Sequence, residues 1–249
     1  MRNIKFVIRY DGTTYKGWQR LSGTERTLQG KIESYLSEIL GEKITITGCG
    51  RTDAGVHALK YTLNFHTESA MPIKELEDKF RKAVPMDIQL LEAKNCSERF
   101  HARYNALHKT YLYKIDNSEM GDMFSRKYKY QIHEELDIEN MRNCAKILLG
   151  THDFQSFTSL KAKKKSTERK IFDIDIDRDE ITSEIFIKIR GNGFLWNMVR
   201  IIAGTLIEAG LGKLTPSDVQ AILDEKKRAQ ASSKAPAFAL YLLDVEYSK

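Results

Sequence analysis

Apolar and polar residues alternate along the chain with two different periods, and these periods predict the order of its strands and helices. Apolar side chains occupy every second position from residue 4 to residue 10, the spacing typical of a strand. From Leu28 to Leu40 apolar residues recur every three or four positions, which predicts a helix that ends at Gly41. The chain is therefore expected to begin with a strand followed by a helix.

The same two periods continue through the rest of the N-terminal part. Short alternating segments predict strands at residues 43–48, 60–67 and 87–93. Between the last two of these, a helix is predicted to begin at Met71–Pro72, where proline suits the first turn, and to end before Pro85. The predicted order is strand, helix, strand, strand, helix, strand.

The C-terminal part repeats this order without repeating the sequence itself. Its predicted strands are 109–116, 170–177, 181–190 and 240–247, and its predicted helices are 137–149, 196–210 and 215–225. We therefore expect an α+β fold of two ferredoxin-like βαββαβ halves, residues 1–104 and 105–249. Their antiparallel sheets are expected to lie side by side around a central basic cleft.

Composition narrows the class of protein. A chain of 249 residues that is 41% hydrophobic can bury a sizeable core, yet no apolar run approaches the roughly 20 residues that span a bilayer. The N-terminus lacks the pattern of a signal peptide, so we expect a cytoplasmic protein with no membrane association. Three scattered cysteines and the absence of nucleotide-binding glycine motifs predict no disulfide, no metal and no cofactor.

Most of the formal net charge of +6 falls on the segment 161–170, which holds six basic residues and one glutamate. One interpretation is a solvated loop that keeps the protein soluble. The other is an arm that binds the phosphate backbone of a nucleic acid, because clustered positive charge attracts it. The lysines that would make these backbone contacts are Lys161, Lys163, Lys164 and Lys165.

The segment GCGRTDAGVHALKY, residues 48–61, places Arg51, Asp53 and His57 between two predicted strands. Aspartate and glycine are ordinary turn residues, and that explanation alone would account for Asp53. The alternative is an ionised carboxylate acting as a nucleophile, with Arg51 or Arg200 as its partner. Arg200 lies on a strongly apolar predicted helix, where a guanidinium needs an anion to offset its desolvation.

Tyr111 lies on a predicted strand together with Tyr113, among basic residues. Aromatic residues on strands usually belong to the core, but a ring in this setting can also stack on a nucleobase. A serine hydrolase is excluded by the lack of a Gly-x-Ser-x-Gly elbow. Tandem RNA-recognition motifs share the βαββαβ order, but the segment LKYTLNF lacks their aromatic signature.

Six segments together resemble one family. They are YDGTTYKGWQR (10–20), GCGRTDAGVHAL (48–59), FHARYNALHKTYLYKI (100–115), GTHDFQSF (150–157), GNGFLWNMVRIIAGTLIEAG (191–210) and APAFALYLLDVEY (235–247). In order and spacing they are similar to the motifs of the tRNA pseudouridine synthase A family. The resemblance extends over essentially the whole chain, and GRTDAGVHA is its most specific part.

The resemblance implies a role for each matching position. Asp53 matches the family's nucleophile, and Arg51 matches an arginine that helps to hold the site of the displaced nucleotide. Tyr111 matches a tyrosine that stacks on the target uracil, Arg200 matches an arginine that pairs with the aspartate, and Leu240 matches an apolar residue of the base pocket.

The resemblance also implies the substrate and the assembly. Members of the family act on uridines 38, 39 and 40 in the anticodon arm of tRNA, as homodimers that need no cofactor or metal. Two alternatives stay open beside an active isomerase of this kind. One is a catalytically silent or divergent RNA-binding protein of the same fold, and the other is a hydrolase that uses Asp53 and His57.

Overall fold

The computed structural model describes residues 1–160 and 166–248. Contacts divide the chain into two compact units. Unit 1 consists of Met1–Leu107 together with Tyr241–Lys249, and unit 2 consists of His108–Leu240. None of the helices in the described ranges combines the length and the apolar character that crossing a membrane requires.

The N-terminal part follows the predicted βαββαβ order. Its elements are β1 (Arg2–Tyr10), α1 (Leu28–Leu40), β2 (Ile46–Gly48), β3 (His57–Thr67), α2 (Ile73–Ala83) and β4 (Ile88–Cys96). The helix α1 ends as predicted, because Gly41 adopts a left-handed conformation with φ 68° and its amide donates to the Ser37 carbonyl. The helix α2 begins directly after Pro72.

The sheet of unit 1 is built around β1, which pairs antiparallel with both β3 and β4. The short strand β2 pairs antiparallel with residues 63–65 of β3, along the edge opposite β1. Alternate residues of β1 are fully buried, and the ring of Phe6 meets Phe65 of β3 and Phe80 of α2 edge-on, each at 5.2 Å between ring centroids. Burying one such side chain contributes about 1.5–3 kcal/mol. This core fixes the ends of β2 and β3, between which Asp53 lies.

The remaining elements run from the middle of the chain to its end. They are β5 (Ala106–Asp116), β6 (Tyr130–Gln131), α3 (Ile138–Ile147), β7 (Gly150–Asp153), β8 (Glu168–Asp179), β9 (Glu184–Gly191), α4 (Met198–Gly210), α5 (Pro216–Glu225) and β10 (Leu240–Tyr247). In unit 2, β9 pairs antiparallel with β5 and β8, β8 pairs with β7, and β6 lies parallel to β5. The two short strands β6 and β7 are additions to the predicted order.

The helix α4 begins two residues later than predicted. Asn197 has φ 62°, a left-handed conformation that does not continue as a helix, so the helix starts at Met198. Trp196 stays in the preceding loop, where its carbonyl accepts hydrogen bonds from the Thr158 hydroxyl and the Ser159 amide. The helix α5 has the predicted start, with Thr215 and Asp218 forming a reciprocal capping box.

The strand β10 differs from the sequence-based picture in its surroundings. The pattern places residues 240–247 in the half 105–249, whereas from Tyr241 onward they belong to unit 1. Tyr241 and Leu242 pair in parallel with His57 and Ala58 of β3, and the Tyr247 hydroxyl donates to the Ala102 carbonyl at 2.7 Å. The spacing of apolar residues within one element cannot indicate such long-range contacts.

Candidate active site

Asp53 lies on the connection between β2 and β3, which we call the Asp53 loop (residues 49–56). The loop closes as a tight turn in which the Val56 amide donates to the Asp53 carbonyl at 3.2 Å. Gly55 supplies the positive φ, 79°, that the turn requires. Asp53 is half-buried. The sequence-based placement of Asp53 between two strands is therefore what the structure shows.

The segment 10–20 braces the Asp53 loop through its backbone. The Thr52 carbonyl accepts a hydrogen bond from the Trp18 amide at 3.0 Å, and the Thr52 hydroxyl lies 2.8 Å from the Tyr10 hydroxyl. Gly17 makes this approach possible, because a Cβ there would lie 2.9 Å from the Thr52 carbonyl oxygen and 3.3 Å from the Asp53 carbonyl carbon. The conformation of the loop thus depends on residues far away in the sequence.

Gly12 and His57 hold the far end of the loop. A Cβ at position 12 would lie 2.0 Å from the Val56 carbonyl oxygen, so only glycine fits. Nδ1 of His57 lies 3.1 Å from the Gly12 amide nitrogen and 3.1 Å from Oδ1 of Asp11. The His57 side chain is buried, with 1% of its surface exposed, and its ring stacks on Tyr241 at 4.8 Å. These contacts make His57 a structural residue and give no support to the hydrolase hypothesis.

A second set of contacts fixes the segment 10–20 from its other side. The Tyr15 hydroxyl donates to the Asp87 carboxylate at 2.9 Å, and the Asp11 amide donates to the Asp87 carbonyl at 2.9 Å. Burial and then this carboxylate raise the pKa of Tyr15 well above its usual value, so the hydroxyl stays a donor. The brace on the Asp53 loop is therefore itself anchored.

Arg51 is on the same loop as Asp53 but does not pair with it. Its side chain is exposed, and among the described residues no hydrogen bond or ion pair engages it. No contact among the described residues therefore supports the hypothesis that Arg51 is the ionic partner of Asp53. Instead, Arg51 lines a cavity in unit 1.

Unit 2 carries Tyr111 on β5, opposite Ile189 of β9. Its side chain is 8% exposed, and the edge of its ring meets Phe194 at 5.2 Å with an interplanar angle of 86°. Tyr113 is fully buried and donates to the Pro236 carbonyl at 3.1 Å, and burial raises its pKa strongly. Both tyrosines are buried, so burial does not choose between the two sequence-based explanations of Tyr111, a core residue or a ring that stacks on a nucleobase.

Arg200 lies on the first turn of α4, where two neighbours orient its guanidinium. Its Nε donates to the Ala235 carbonyl at 2.8 Å, and its Nη1 donates to Oδ1 of Asn197 at 3.1 Å. The Ala235 amide in turn donates to the Arg200 carbonyl at 2.9 Å. Residues 233–235 pack closely against α4 because residue 204 is a glycine. A Cβ added there would lie 2.1 Å from the Ser233 carbonyl oxygen. The sequence reasoning missed Asn197 and Ala235.

Two sets of predicted site residues remain. Leu240 is buried at the first position of β10. Lys161, Lys163, Lys164 and Lys165 lie outside the described residues. Within residues 1–160 and 166–248, no group of three or more His, Cys, Asp or Glu side chains has an arrangement that could hold a metal ion.

Comparisons with known proteins agree on one family. A family model described as tRNA pseudouridine synthase matches residues 6–105 and 144–248. Over 247 residues the chain is 48% identical to tRNA pseudouridine synthase A 1 of Clostridium tetani (strain Massachusetts / E88), with 99% of this chain and 100% of that protein covered. It is 46% identical to tRNA pseudouridine synthase A of Bacillus sp. (strain KSM-64), with the same coverage.

Similarity to solved structures is much weaker. A chain from the structure of an H/ACA RNP bound to a substrate RNA containing 2'-deoxyuridine has a TM-score of 0.38 and 12% identity to this chain. The alignment covers 84% of this chain and 43% of the other, a likeness too low to carry structural detail across. The full-length sequence matches are decisive, and the chain belongs to the tRNA pseudouridine synthase family.

Proposed function

We propose that this isomerase converts uridine to pseudouridine at positions 38, 39 and 40 in the anticodon arm of tRNA, with Asp53 as the nucleophile. The observation that carries the proposal is the brace on the Asp53 loop. One family motif, residues 10–20, holds the backbone on the N-terminal side of Asp53 through Trp18 and Thr52. A loop fixed in this way keeps a carboxylate in one position, as a nucleophile requires.

The chemistry is an isomerisation, so all atoms and electrons of the substrate are kept. The bond between N1 and C1′ breaks and a bond between C5 and C1′ forms, while C5 loses a proton and N1 gains one. The target base must leave the stack to be reached, which costs a few kcal/mol of unstacking. The carboxylate of Asp53 can attack C1′, attack C6 or remove the C2′ proton. Each of these three roles needs the ionised form.

The other matching residues are proposed to bind the substrate. Tyr111 stacks on the uracil and removes the C5 proton, and its ring is held by the contact with Phe194. Arg200 supplies positive charge at the reacting group, and its bonds to Asn197 and Ala235 hold the guanidinium in one orientation. Leu240 lines the pocket for the base, and Arg51 holds the site of the displaced nucleotide.

The partners of the reaction follow from the same proposal. The chain acts in the cytoplasm as a homodimer on tRNA, and the segment 161–170 contacts the RNA backbone. Recognition of several neighbouring positions suits binding by shape and phosphates more than by base sequence. No small-molecule cofactor is required, because the reaction transfers no electrons and no group from outside the substrate.

Mapping of pseudouridine in tRNA tests the proposal. In tRNA from cells that lack the protein, we expect uridine at positions 38, 39 and 40, and pseudouridine should return when the gene is restored. The catalytically silent alternative predicts no difference between the two tRNA pools. Modification at other positions only would refute the proposed substrate sites while leaving the isomerase activity in place.

A further inference from the structure

A cavity of about 200 Å³ lies in unit 1 beside the Asp53 loop. This volume is several times the roughly 30 Å³ of one water molecule, which leaves room for a planar heterocycle. The residues that give the cavity its chemistry are Trp18, Gln19, Arg51, His101, Arg103 and Tyr104. Arg51 stands two positions before Asp53, so the cavity adjoins the nucleophile along the chain.

One wall of the cavity is a rigid aromatic platform. The rings of His101 and Tyr104 stack at 4.1 Å with an interplanar angle of 26°, and 78% of Tyr104 is exposed. The turn that carries them is fixed, because the Asn105 amide donates to the His101 carbonyl at 3.0 Å and the His101 amide donates to Oδ1 of Asn105 at 2.7 Å. An exposed ring held in this way is the kind of surface on which unpaired bases stack.

Two arginines supply positive charge around the same cavity. Arg51 and Arg103 are both exposed, and among the described residues neither guanidinium makes a hydrogen bond or an ion pair. A guanidinium presents several donors in one plane and binds phosphate oxygens in pairs. The two side chains can therefore meet a nucleotide's phosphate without first breaking a contact within the protein.

A chain of hydrogen bonds orients an amide in the cavity. The buried carboxylate of Glu33 accepts from the Ile46 amide at 3.1 Å and from Nε2 of Gln29 at 3.0 Å. Oε1 of Gln29 then accepts from Nε2 of Gln19 at 3.0 Å. Because Gln19 donates through Nε2, its Oε1 has no partner among the described residues. This oxygen can accept a hydrogen bond from an N–H group of a base.

We propose that this cavity binds one unpaired nucleotide of the RNA next to the target uridine. Its base stacks on Tyr104, its phosphate lies against Arg51 and Arg103, and Oε1 of Gln19 accepts from the base edge. Oε1 of Gln19 can accept from the ring N–H of uracil or guanine or from the amino group of cytosine or adenine. This inference rests on the proposed function and adds to it a second base-binding site that does not take part in the bond exchange.

A double-mutant cycle between protein and RNA tests the inference. Anticodon stem-loop RNAs, each with one loop base removed, are titrated against Asp53→Asn protein, which cannot react. We expect Tyr104→Ala to weaken the binding of intact RNA roughly tenfold, and Tyr104→Phe to leave it unchanged because the ring is kept. For one nucleotide next to the target, removal of the base should weaken binding to protein with an intact Tyr104 by a similar factor. Removal of the same base should weaken binding to the Tyr104→Ala variant no further.

Two results would overturn the inference. One is unchanged affinity of Tyr104→Ala for intact RNA, and the other is additive loss at every abasic position. An unfolding temperature equal to that of the parent protein excludes a folding defect in the variant. Pseudouridine formation by the protein with an intact Asp53 is measured separately, so an inactive enzyme with the expected cycle would contradict only the proposed function.

Discussion

The amide of Trp18 donates a hydrogen bond to the carbonyl of Thr52 at 3.0 Å. Thr52 directly precedes Asp53, so this contact ties the residue before the proposed nucleophile to a distant part of the chain. It acts through backbone groups and does not use the Asp53 side chain. Changes in the segment 10–20 are therefore expected to alter the position of Asp53 without altering its chemical identity.

The Gly17→Ala substitution tests the brace by steric pressure. The new methyl group would press on Thr52 and the backbone of Asp53, and the φ of 100° adds strain of about 1–2 kcal/mol. We expect lower stability together with a large loss of pseudouridine formation, measured at a temperature where the variant is folded. Gly23→Ala is the matched control, because Gly23 also has a positive φ, 77°, but nothing lies within 4 Å of its Cβ. Equal activity of the two folded variants would contradict the brace.

The Tyr10→Phe substitution tests the brace by removing one hydroxyl. Loss of the contact with the Thr52 hydroxyl should cost about 0.5–1.5 kcal/mol in the free energy of unfolding and lower kcat with little change in KM. Ser156→Ala removes another buried hydroxyl, which donates to the Ile222 carbonyl at 2.6 Å within unit 2 and serves as the control. Urea unfolding should show similar losses in both variants, while kcat at saturating tRNA should fall only in Tyr10→Phe. An equal fall in both would remove the special role of Tyr10.

The Asp116→Asn substitution tests the electrostatics of unit 2. Burial disfavours the ionised form of Asp116, but donors from Ser118 and the Asp122 amide outweigh burial and lower its pKa. We expect a loss of about 1–3 kcal/mol in the free energy of unfolding at pH 7.

The pH dependence of that loss has a defined sign. A carboxyl whose pKa is lowered in the folded state stabilises the protein above its unfolded pKa of about 3.9, and this stabilisation disappears as pH falls through the folded value. The difference between wild type and Asp116→Asn should therefore be constant from pH 7 to about pH 5 and shrink towards pH 2. The exposed Asp175, paired with Lys188, serves as control, and its Asn variant should lose no more than about 1 kcal/mol. If the difference in the free energy of unfolding between wild type and Asp116→Asn grew as the pH fell, the lowered pKa of Asp116 in the folded state would be contradicted.

Neutralising the basic segment tests its proposed contact with RNA. The substituted lysines are Lys161, Lys163, Lys164 and Lys165, each changed to glutamine. We expect weaker tRNA binding and a slope of log affinity against log salt that falls by about one for each lost phosphate contact. The control changes four exposed lysines of unit 1, Lys43, Lys74, Lys79 and Lys82. The same change in slope for both variants would show an effect of net charge alone.

Much of the fold can be predicted from the hydrophobic period, because that period reports which face of an element is buried. The helices α1, α2 and α5 follow the prediction closely, since Gly41, Pro72 and Thr215 mark their ends through local backbone chemistry. The strands β6 and β7 could not be found in this way, because two and four residues are too few to show a period. The parallel pairing of β10 with β3 joins segments too distant for any local signal.

The candidate site likewise has parts that the sequence could predict and parts that it could not. The motif around Asp53 locates the loop through the family resemblance, because its aspartate and glycines alone would be ordinary turn residues. The brace could not be predicted, since the bond between Trp18 and Thr52 joins two backbone groups that every residue type possesses. The same holds for Ala235, which orients Arg200 through its carbonyl. Residues that act through their backbone leave no residue-type signal.

The most direct test of the central claim is the rate of pseudouridine formation by the Asp53→Asn variant under single-turnover conditions with saturating tRNA. The amide keeps the size of the side chain but is neither a nucleophile nor a base, so the rate should fall by more than about a thousandfold. The affinity for tRNA, measured on the same preparation, should stay within about threefold of wild type, because the RNA contacts are kept. A variant that folds, binds tRNA and still forms pseudouridine at a rate close to that of wild type would contradict the assignment of Asp53 as the nucleophile.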